Sequence, residues 1–512
     1  MTGRLAVEPC PAEVELELAV GGRLLFVSDL HLSGGGPTSD FAATDQLVKV
    51  IDSLTGHPGP VILILGGDIL DLLQAQALTH VSTPGPKGWA AGRQPRPGPL
   101  DRVLAGPDAV LLGRVLRRLA RRPDTRIVYL VGNHDAELAW DAAARGRVAD
   151  QFGVSAIALR LRVRVEHAAG TPLWLAAEHG DAFDPYNRRT DPFDPLDSPA
   201  GEHVVTEVVN RLEAAAPAHP ELALDQVNNI RPTALVPTWL VANYFYRFLH
   251  RALNRLALPL LAAFLLLHLP VAALVLGDLS GRFTEAGELG AQAVRWALAI
   301  VTVDLVLLGI LATFLGRSLQ HALPAYGAPD PGQDGQPDTS PLPAVAPPAA
   351  HPCPPQVVVT GHTHQARLGR VHHDRVVVDA GRWVQALVQV RAWFGLPPVF
   401  VPAYPSTWVE AVVTTTGMAV SLWEWRLPVR RRLTLIERLV TAGHLPPAHA
   451  TPPHVLSSAA VTTTREQDPM QAVRKRDGGA PTRIQDPRSA PLYGEALLTA
   501  CLLDHPSCAG QA

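Results

Sequence analysis

Five short apolar runs along this chain each stop abruptly at polar residues. RLLFVSDLHL closes on Asp29 and His31, VILILGGDILD on Asp68 and Asp71, and IVYLVGNHD on Asn133, His134 and Asp135. TPLWLAAEHGD closes on His179 and Asp181, and PQVVVTGHTH on His362 and His364. Apolar runs of this length that end at Gly, Asp, Asn or His predict buried strands whose carboxyl ends carry a site. Helical periodicity lies between the early runs, as in LLGRVLRRLARR over 111–122. The alternation predicts an α/β fold of layered β-sheets flanked by helices. Later, RVVVDAGRW, STWVEAVVTTT and GMAVSLWEWR predict strands that complete the sheet system.

Two stretches depart from this pattern. LALPLLAAFLLLHLPVAALVL (256–276) and WALAIVTVDLVLLGILATFL (296–315) are each long enough to cross a hydrocarbon core about 30 Å thick. With so little formal charge they predict an inserted transmembrane helical hairpin rather than buried core helices. The aromatic run WLVANYFYRFL (239–249) predicts an interfacial helix, with a soluble packing helix as the alternative. Arg247, Arg251 and Arg255 precede the first span and Arg317 follows the second, while the loop between holds Arg282 and Arg295 among Asp278, Glu285 and Glu288. That bias predicts a multi-pass cell-membrane protein with a cytoplasmic catalytic domain. His268 and Asp304 lie equally far inward from Leu276 and Trp296, so an antiparallel hairpin would let them pair.

The expected organisation follows. Residues 1–200 form the first part of a catalytic domain and 201–322 a helical insertion carrying the two spans. Residues 323–354 form a Pro-rich linker, 355–440 the second part of the domain, and 441–512 a disordered tail. The Pro- and Gly-rich segment 78–106 reads either as a lid over the site or as disorder.

Charge and cysteine content narrow the function. Lysine plus arginine total 44 against 47 acidic residues, so no field suited to nucleic acid is expected. Cys10, Cys353, Cys501 and Cys508 form no C-x-x-C pair, so neither a thiolate zinc site nor a disulfide framework is indicated. Glu8, Glu13, Glu15 and Glu17 interrupt the amino terminus, which does not read as a secretory signal.

Carboxylate, imidazole and amide donors without thiolate suit manganese, iron or zinc in a dinuclear centre. The series D-x-H (Asp29, His31), G-D-x-x-D (Gly67, Asp68, Asp71), G-N-H-D (Gly132 to Asp135), H-G (His179, Gly180) and G-H-x-H (Gly361 to His364) resembles the calcineurin-like metallophosphoesterase superfamily. The resemblance covers roughly residues 22–190 and 355–425. It implies that Asp29, His31 and His364 hold one divalent ion and Asn133, His179 and His362 a second, with Asp68 bridging. It also implies that His134 protonates the leaving oxygen or stabilises phosphoryl charge, and that Asp71 orients His134. The activity implied is hydrolysis of a phosphoester or pyrophosphate bond, with manganese the foremost metal. S-D-L-H-L, H-G-D and G-H-T-H also resemble UDP-2,3-diacylglucosamine pyrophosphatase, which has Arg where this chain has His134. A phosphorylated small molecule or lipid-linked substrate is therefore expected. A non-catalytic, membrane-anchored binding module that keeps the fold is the alternative. Past the fourth block, Asp184, Tyr186, Asn187, Arg188 and Arg189 leave two readings open: arginines that bind phosphate, or a solvated proline-bearing loop.

Overall fold

In this computed structural model the described residues are 9–34, 41–77, 98–168, 170–218, 223–230, 235–251, 354–371 and 375–462, with scattered positions between 255 and 306. The alternation of side chains along three parallel strands sets the layers. These are β2 (Arg23–Val27), β3 (Val61–Gly66) and β4 (Thr125–Leu130). Leu24, Phe26, Ile62, Ile64, Val128 and Leu130 face a core shared with a second sheet. Leu25, Val27, Leu63, Leu65, Ile127 and Tyr129 face a core on the helical side. Being covered on both faces explains why these strands read as continuous apolar runs.

Six helices follow in the first part of the chain: α1 (Thr44–Asp52), α2 (Leu72–Ala77), α3 (Pro99–Ala105), α4 (Pro107–Ala120), α5 (Glu137–Trp140) and α6 (Ala142–Phe152). Local chemistry sets their ends. Pro107 occupies the first turn of α4, with Asp108 beside it and Arg117 and Arg118 in the last turn, as the helix dipole favours. Asp141 caps α6 by accepting from the backbone of Ala143 and Ala144, and Gly153 ends it in a left-handed conformation at φ 66°.

The remaining strands are β1 (Glu13–Leu18), β5 (Ala156–Ala158), β6 (Arg160–Val165), β7 (Leu173–Glu178), β8 (Val357–Thr360), β9 (Arg367–Val371) and β10 (Arg375–Asp379). They are followed by β11 (Ala386–Val390), β12 (Val399–Thr414), β13 (Gly417–Leu427) and β14 (His454–Thr462). One mixed sheet runs β14-β13-β12-β2-β3-β4-β5 with β11 paired to β12, and the other runs β1-β6-β7-β8-β10-β9. The fold is therefore α/β, with two mixed sheets flanked by helices.

Chain entering long after β7 completes both sheets. β8 lies parallel beside β7, with Leu175 opposite Val357, and β12 pairs with β2, with Val409 opposite Phe26. The chain thus leaves the sheet after β7 and returns to the adjacent position. Between these points, a helical segment over 200–215 packs against α2, where Asn210 Nδ2 donates to Leu73 O at 3.1 Å, and a short helical segment over 224–229 packs on it beside β11. A helix over 236–251 packs on the strands that follow, and its Tyr246 hydroxyl donates to Pro397 O.

Some expectations are corrected here, and others fall outside the described residues. Among the described residues no helix is long and apolar enough to cross a membrane. The span 256–276 lies outside the described residues, as do His268, Asp304 and the linker 323–353; Trp296, Leu298, Val301 and Val306 of 296–315 are helical and exposed. The segment 78–106 is not wholly irregular: α3 begins at Pro99, while 78–97 lies outside the described residues. The tail reading fails over 441–462, because β14 pairs antiparallel with β13 and buries Val461 in the inter-sheet core. Residues 463–512 lie outside the described residues. The acidic run near the amino terminus is edge strand β1, whose Glu13, Glu15 and Glu17 lie opposite Arg160, Arg162 and Arg164 of β6.

Candidate metal centre

The loops leaving β2, β3, β4, β7 and β8 meet at the carboxyl edge of the two sheets. Backbone hydrogen bonds stitch them together: Asp29 N donates to Gly67 O at 3.1 Å, His31 N to Asp68 O at 2.9 Å, Leu72 N to His134 O at 3.2 Å and Gly361 N to His179 O at 2.8 Å. Among the described residues, the non-glycine positions with positive φ are Asp29 (57°), His31 (48°), Asp68 (51°), His362 (72°), His364 (60°) and Ala223 (50°). All but Ala223 were expected ligands. Such conformations cost about 1 to 3 kcal/mol each and persist where the surroundings impose them, commonly at functional sites.

Two donor sets result. Asp29, His31 and His364 form one group with ligand atoms within 4.8 Å of one another, and Asp68, His179 and His362 form another. Asp68 lies between them: its Oδ2 is 3.7 Å from His31 Nε2 and 3.3 Å from His179 Nε2. Asn133 joins the second group, with Oδ1 3.2 Å from His179 Nε2 and 3.0 Å from His362 Nδ1. Each of these residues is buried except His362, which is half-buried.

The other ring nitrogens decide what the site can hold. His31 Nδ1 lies 3.0 Å from Asp71 Oδ2, His179 Nδ1 3.0 Å from Gly66 O and His362 Nε2 3.0 Å from Asp184 Oδ2. Carboxylates and carbonyls only accept, so those nitrogens carry the protons of the neutral rings. The opposite nitrogens then present lone pairs to the site. His31 Nε2 faces His364 Nε2 at 3.4 Å, and His179 Nε2 faces both Asp68 Oδ2 and Asn133 Oδ1. The carboxylates show the same division of labour. Asp68 Oδ1 accepts from His134 N at 2.8 Å and Asp29 Oδ2 from His362 N at 3.1 Å, while Asp68 Oδ2 and Asp29 Oδ1 turn to the imidazoles. Asp29 Oδ1 is buried and accepts no hydrogen bond. Buried acceptors converging on acceptors fit a cation, and these groups can hold a metal ion.

Electrostatics agrees. Burial alone would raise Asp68, yet His179 and His134 beside it hold its carboxyl well below the ordinary range. Burial opposes charge on His179, and the Asp68 carboxylate overrides it and raises the imidazole well above its usual value. In the metal-free protein a proton thus supplies the positive charge that Asp68 demands.

His134 and Asp71 sit beside the donor groups. Asp71 Oδ1 is 3.0 Å from His134 Nδ1 and Oδ2 is 3.0 Å from His31 Nδ1, so one buried carboxylate orients both rings. Asp71 Oδ1 also accepts from Gln74 N at 2.8 Å, as a residue preceding α2 does. The proximity of His31, Asp71 and His134 is thereby accounted for by hydrogen bonds. Burial opposes ionisation of Asp71, and His134 and His31 outweigh it, depressing the carboxyl strongly.

Other acids near the centre are braces. Asp135 accepts from Tyr129 Oη and Gly132 N, both at 2.6 Å, and from Ile69 N at 3.1 Å, joining the β3 and β4 loops. Burial and the charge of Asp68 push it up to about 6. Asp181 lies in the turn after His179 and belongs to neither group. Arg188 is exposed, whereas Arg189 is tied to Glu202 Oε2 at 2.6 Å and stacks over Trp140 at 5.0 Å, so it braces the loop. Two roles escaped sequence reasoning, that of Asp184, which was noted only as a neighbour of the arginines, and that of Asp379. Asp184 orients His362 and is held by Asn187 Nδ2 at 2.7 Å. Asp379, at the end of β10, accepts the Thr363 hydroxyl between the two late histidines, and burial pushes it up to about 8. The signal for Asp379 was present, since RVVVDAG is another apolar run stopping at Asp.

Gly132 shows how tightly the loops pack: a Cβ there would lie 2.3 Å from Asp68 Oδ1. No family model matches the chain, and no curated protein matches it.

Proposed function

We propose that this chain is a calcineurin-like metallophosphoesterase that hydrolyses a phosphoester or pyrophosphate bond. The observation that carries the reading is the position of Asp68, one carboxylate oxygen shared between two sets of imidazole and amide donors. Asp29, His31 and His364 would hold one divalent ion and Asn133, His179 and His362 the other. Manganese is the first choice for this oxygen- and nitrogen-rich set, with iron or zinc next. When bound, the pair supplies Lewis acidity toward phosphoryl oxygens. His134 acts on the leaving oxygen. Asp71 accepts a hydrogen bond from Nδ1–H of His134 and stabilises the imidazolium, so that Nε2–H is available to donate.

The apolar runs 256–276 and 296–315 would form a transmembrane hairpin anchoring the chain in the cell membrane, with the catalytic part cytoplasmic. Exposed Trp296, Leu298, Val301 and Val306 on helical backbone support this. The substrate class is then a phosphorylated small molecule or a lipid-linked phosphate at the bilayer. Every expected ligand position is filled, which favours catalysis over a binding module that has lost its chemistry.

The test is hydrolysis. Full-length protein in detergent, loaded with manganese, should turn over members of a panel of phosphomonoesters, phosphodiesters and pyrophosphates, and Asp68→Asn should abolish that turnover. Equal turnover by Asp68→Asn would overturn the assignment.

A further inference from the structure

Two helices far apart in sequence share one apolar core and leave neighbouring apolar surface uncovered. Tyr246 of the helix over 236–251 packs with Val390, Ala392, Val399 and Val440, and Ile436 joins the same cluster. This brings the helix Leu435–Val440 and the turn Trp393–Gly395 to the foot of the insertion. On the outer side Tyr244 and Phe248 are 62% and 61% exposed and stack at 6.2 Å, Leu435 and Leu439 are 68% and 65% exposed, and Trp393 is 49% exposed. The Trp393 indole N–H already donates to Ala442 O at 2.9 Å and its ring stacks on His444 at 4.7 Å, so the side left outward is apolar.

Charge on these segments is one-sided. Across 236–251, 391–397 and 428–445 there are seven arginines and a single acid, Glu437. Glu437 is engaged in the capping box with Thr434, accepting from its backbone N at 2.6 Å. Arg251, Arg391, Arg430, Arg432 and Arg438 are exposed. Apolar and aromatic side chains framed by arginine, with almost no acid, match an anionic lipid interface, where rings seat at headgroup depth and cations meet phosphate. The helix over 236–251 also leads within a few residues into the apolar run 256–276.

We infer that Tyr244, Phe248, Trp393, Leu435 and Leu439, with the arginines around them, form one surface that docks on an anionic bilayer. The surface draws on both halves of the chain, so it fixes the orientation of the catalytic domain against the membrane instead of merely tethering it. This inference rests on the membrane part of the proposed function.

The experiment uses the full chain reconstituted in vesicles of phosphatidylcholine alone or mixed with phosphatidylglycerol, with lipids brominated on the acyl chain. The emission of Trp393 is isolated as the difference between the parent and Trp393→Phe. Bromolipid should quench that difference in anionic vesicles and much less in zwitterionic ones. Reversal of Arg430, Arg432 and Arg438 to Glu should lower the docked fraction roughly tenfold or more. A nitroxide placed through Leu439→Cys gives a second readout, expected to be reached by oxygen from the bilayer and shielded from an aqueous nickel chelate. Quenching that is absent, or the same with both lipids, overturns the inference. So does concentration-dependent shielding of Trp393 in detergent, which would assign the face to a second copy of the chain. Resistance of the reconstituted chain to alkaline extraction reports on the spans separately, so a failed anchor and a failed docking face are distinguishable.

Discussion

Replacing Asp184 by alanine should weaken one metal position and spare the other. Asp184 Oδ2 accepts the proton of His362 Nε2 at 3.0 Å, and the carboxylate is fixed by Tyr186 N at 2.9 Å and Asn187 Nδ2 at 2.7 Å. The hydrogen bond from His362 holds the Asp184 carboxyl down at about 2, against an ordinary value of 3.8. Its folded value is the lower one, so its contribution is complete above 3.8 and is lost only as pH falls toward about 2. A hydrogen bond to a charged group contributes about 1.5 to 3 kcal/mol, and about 1.4 kcal/mol is tenfold in affinity. Asp184→Ala should therefore cost roughly 10- to 100-fold at the position built from Asn133, His179 and His362, the range expected when a ligand's outer partner is lost. The Asp184 carboxylate bonds to His362, Tyr186 and Asn187, so the Asp29, His31 and His364 position should keep its affinity. Asp184→Asn retains an accepting oxygen without the charge and should fall between, at roughly tenfold. Competition against a chromophoric chelator reads both positions, with circular dichroism as the check on folding. Equal weakening at both positions, or none at either, would refute the role assigned to Asp184.

Three further outcomes are expected. His134→Ala should keep both metals by elemental analysis while losing hydrolysis roughly 100-fold or more; loss of metal instead would make His134 a ligand. Gly132→Ala drives a methyl against Asp68 and should lower metal occupancy and Tm together; unchanged occupancy would mean that the loop yields freely. In the metal-free protein His179 has its value raised above 6.5 when folded, so its contribution is complete below 6.5 and is lost as pH climbs toward the raised value. Tm of metal-free protein should thus decline on alkalinisation more than Tm of metal-loaded protein, and parallel slopes in the two scans would contradict this.

The donor cluster was legible because its candidate ligands sit where apolar strands stop. β2, β3, β4 and β8 are largely buried runs and β7 is buried at alternate residues, and the residue after each run turns at the sheet edge, so sequence position translates directly into place. The braces were less legible. Asp184 lies in an irregular loop, and only the fold brings it to His362 from a strand end far along the chain. Arg189 fitted neither sequence reading, because its partners Glu202 and Trp140 come from the insertion and from α5. β14 follows a Pro-rich stretch, and little but its pairing with β13 reveals it. β1 carries alternating glutamates that in sequence served only to argue against a secretory signal and are the charged face of an edge strand against the arginines of β6.

The most direct test is the number and coupling of metals around Asp68. Metal-free protein titrated with manganese and followed by electron paramagnetic resonance should take two equivalents and give a spin-coupled signal, as expected for ions about 3.5 to 4 Å apart. Asp68→Asn should lose the coupling. Saturation at one equivalent, or two uncoupled ions in the parent protein, would contradict a centre bridged by Asp68.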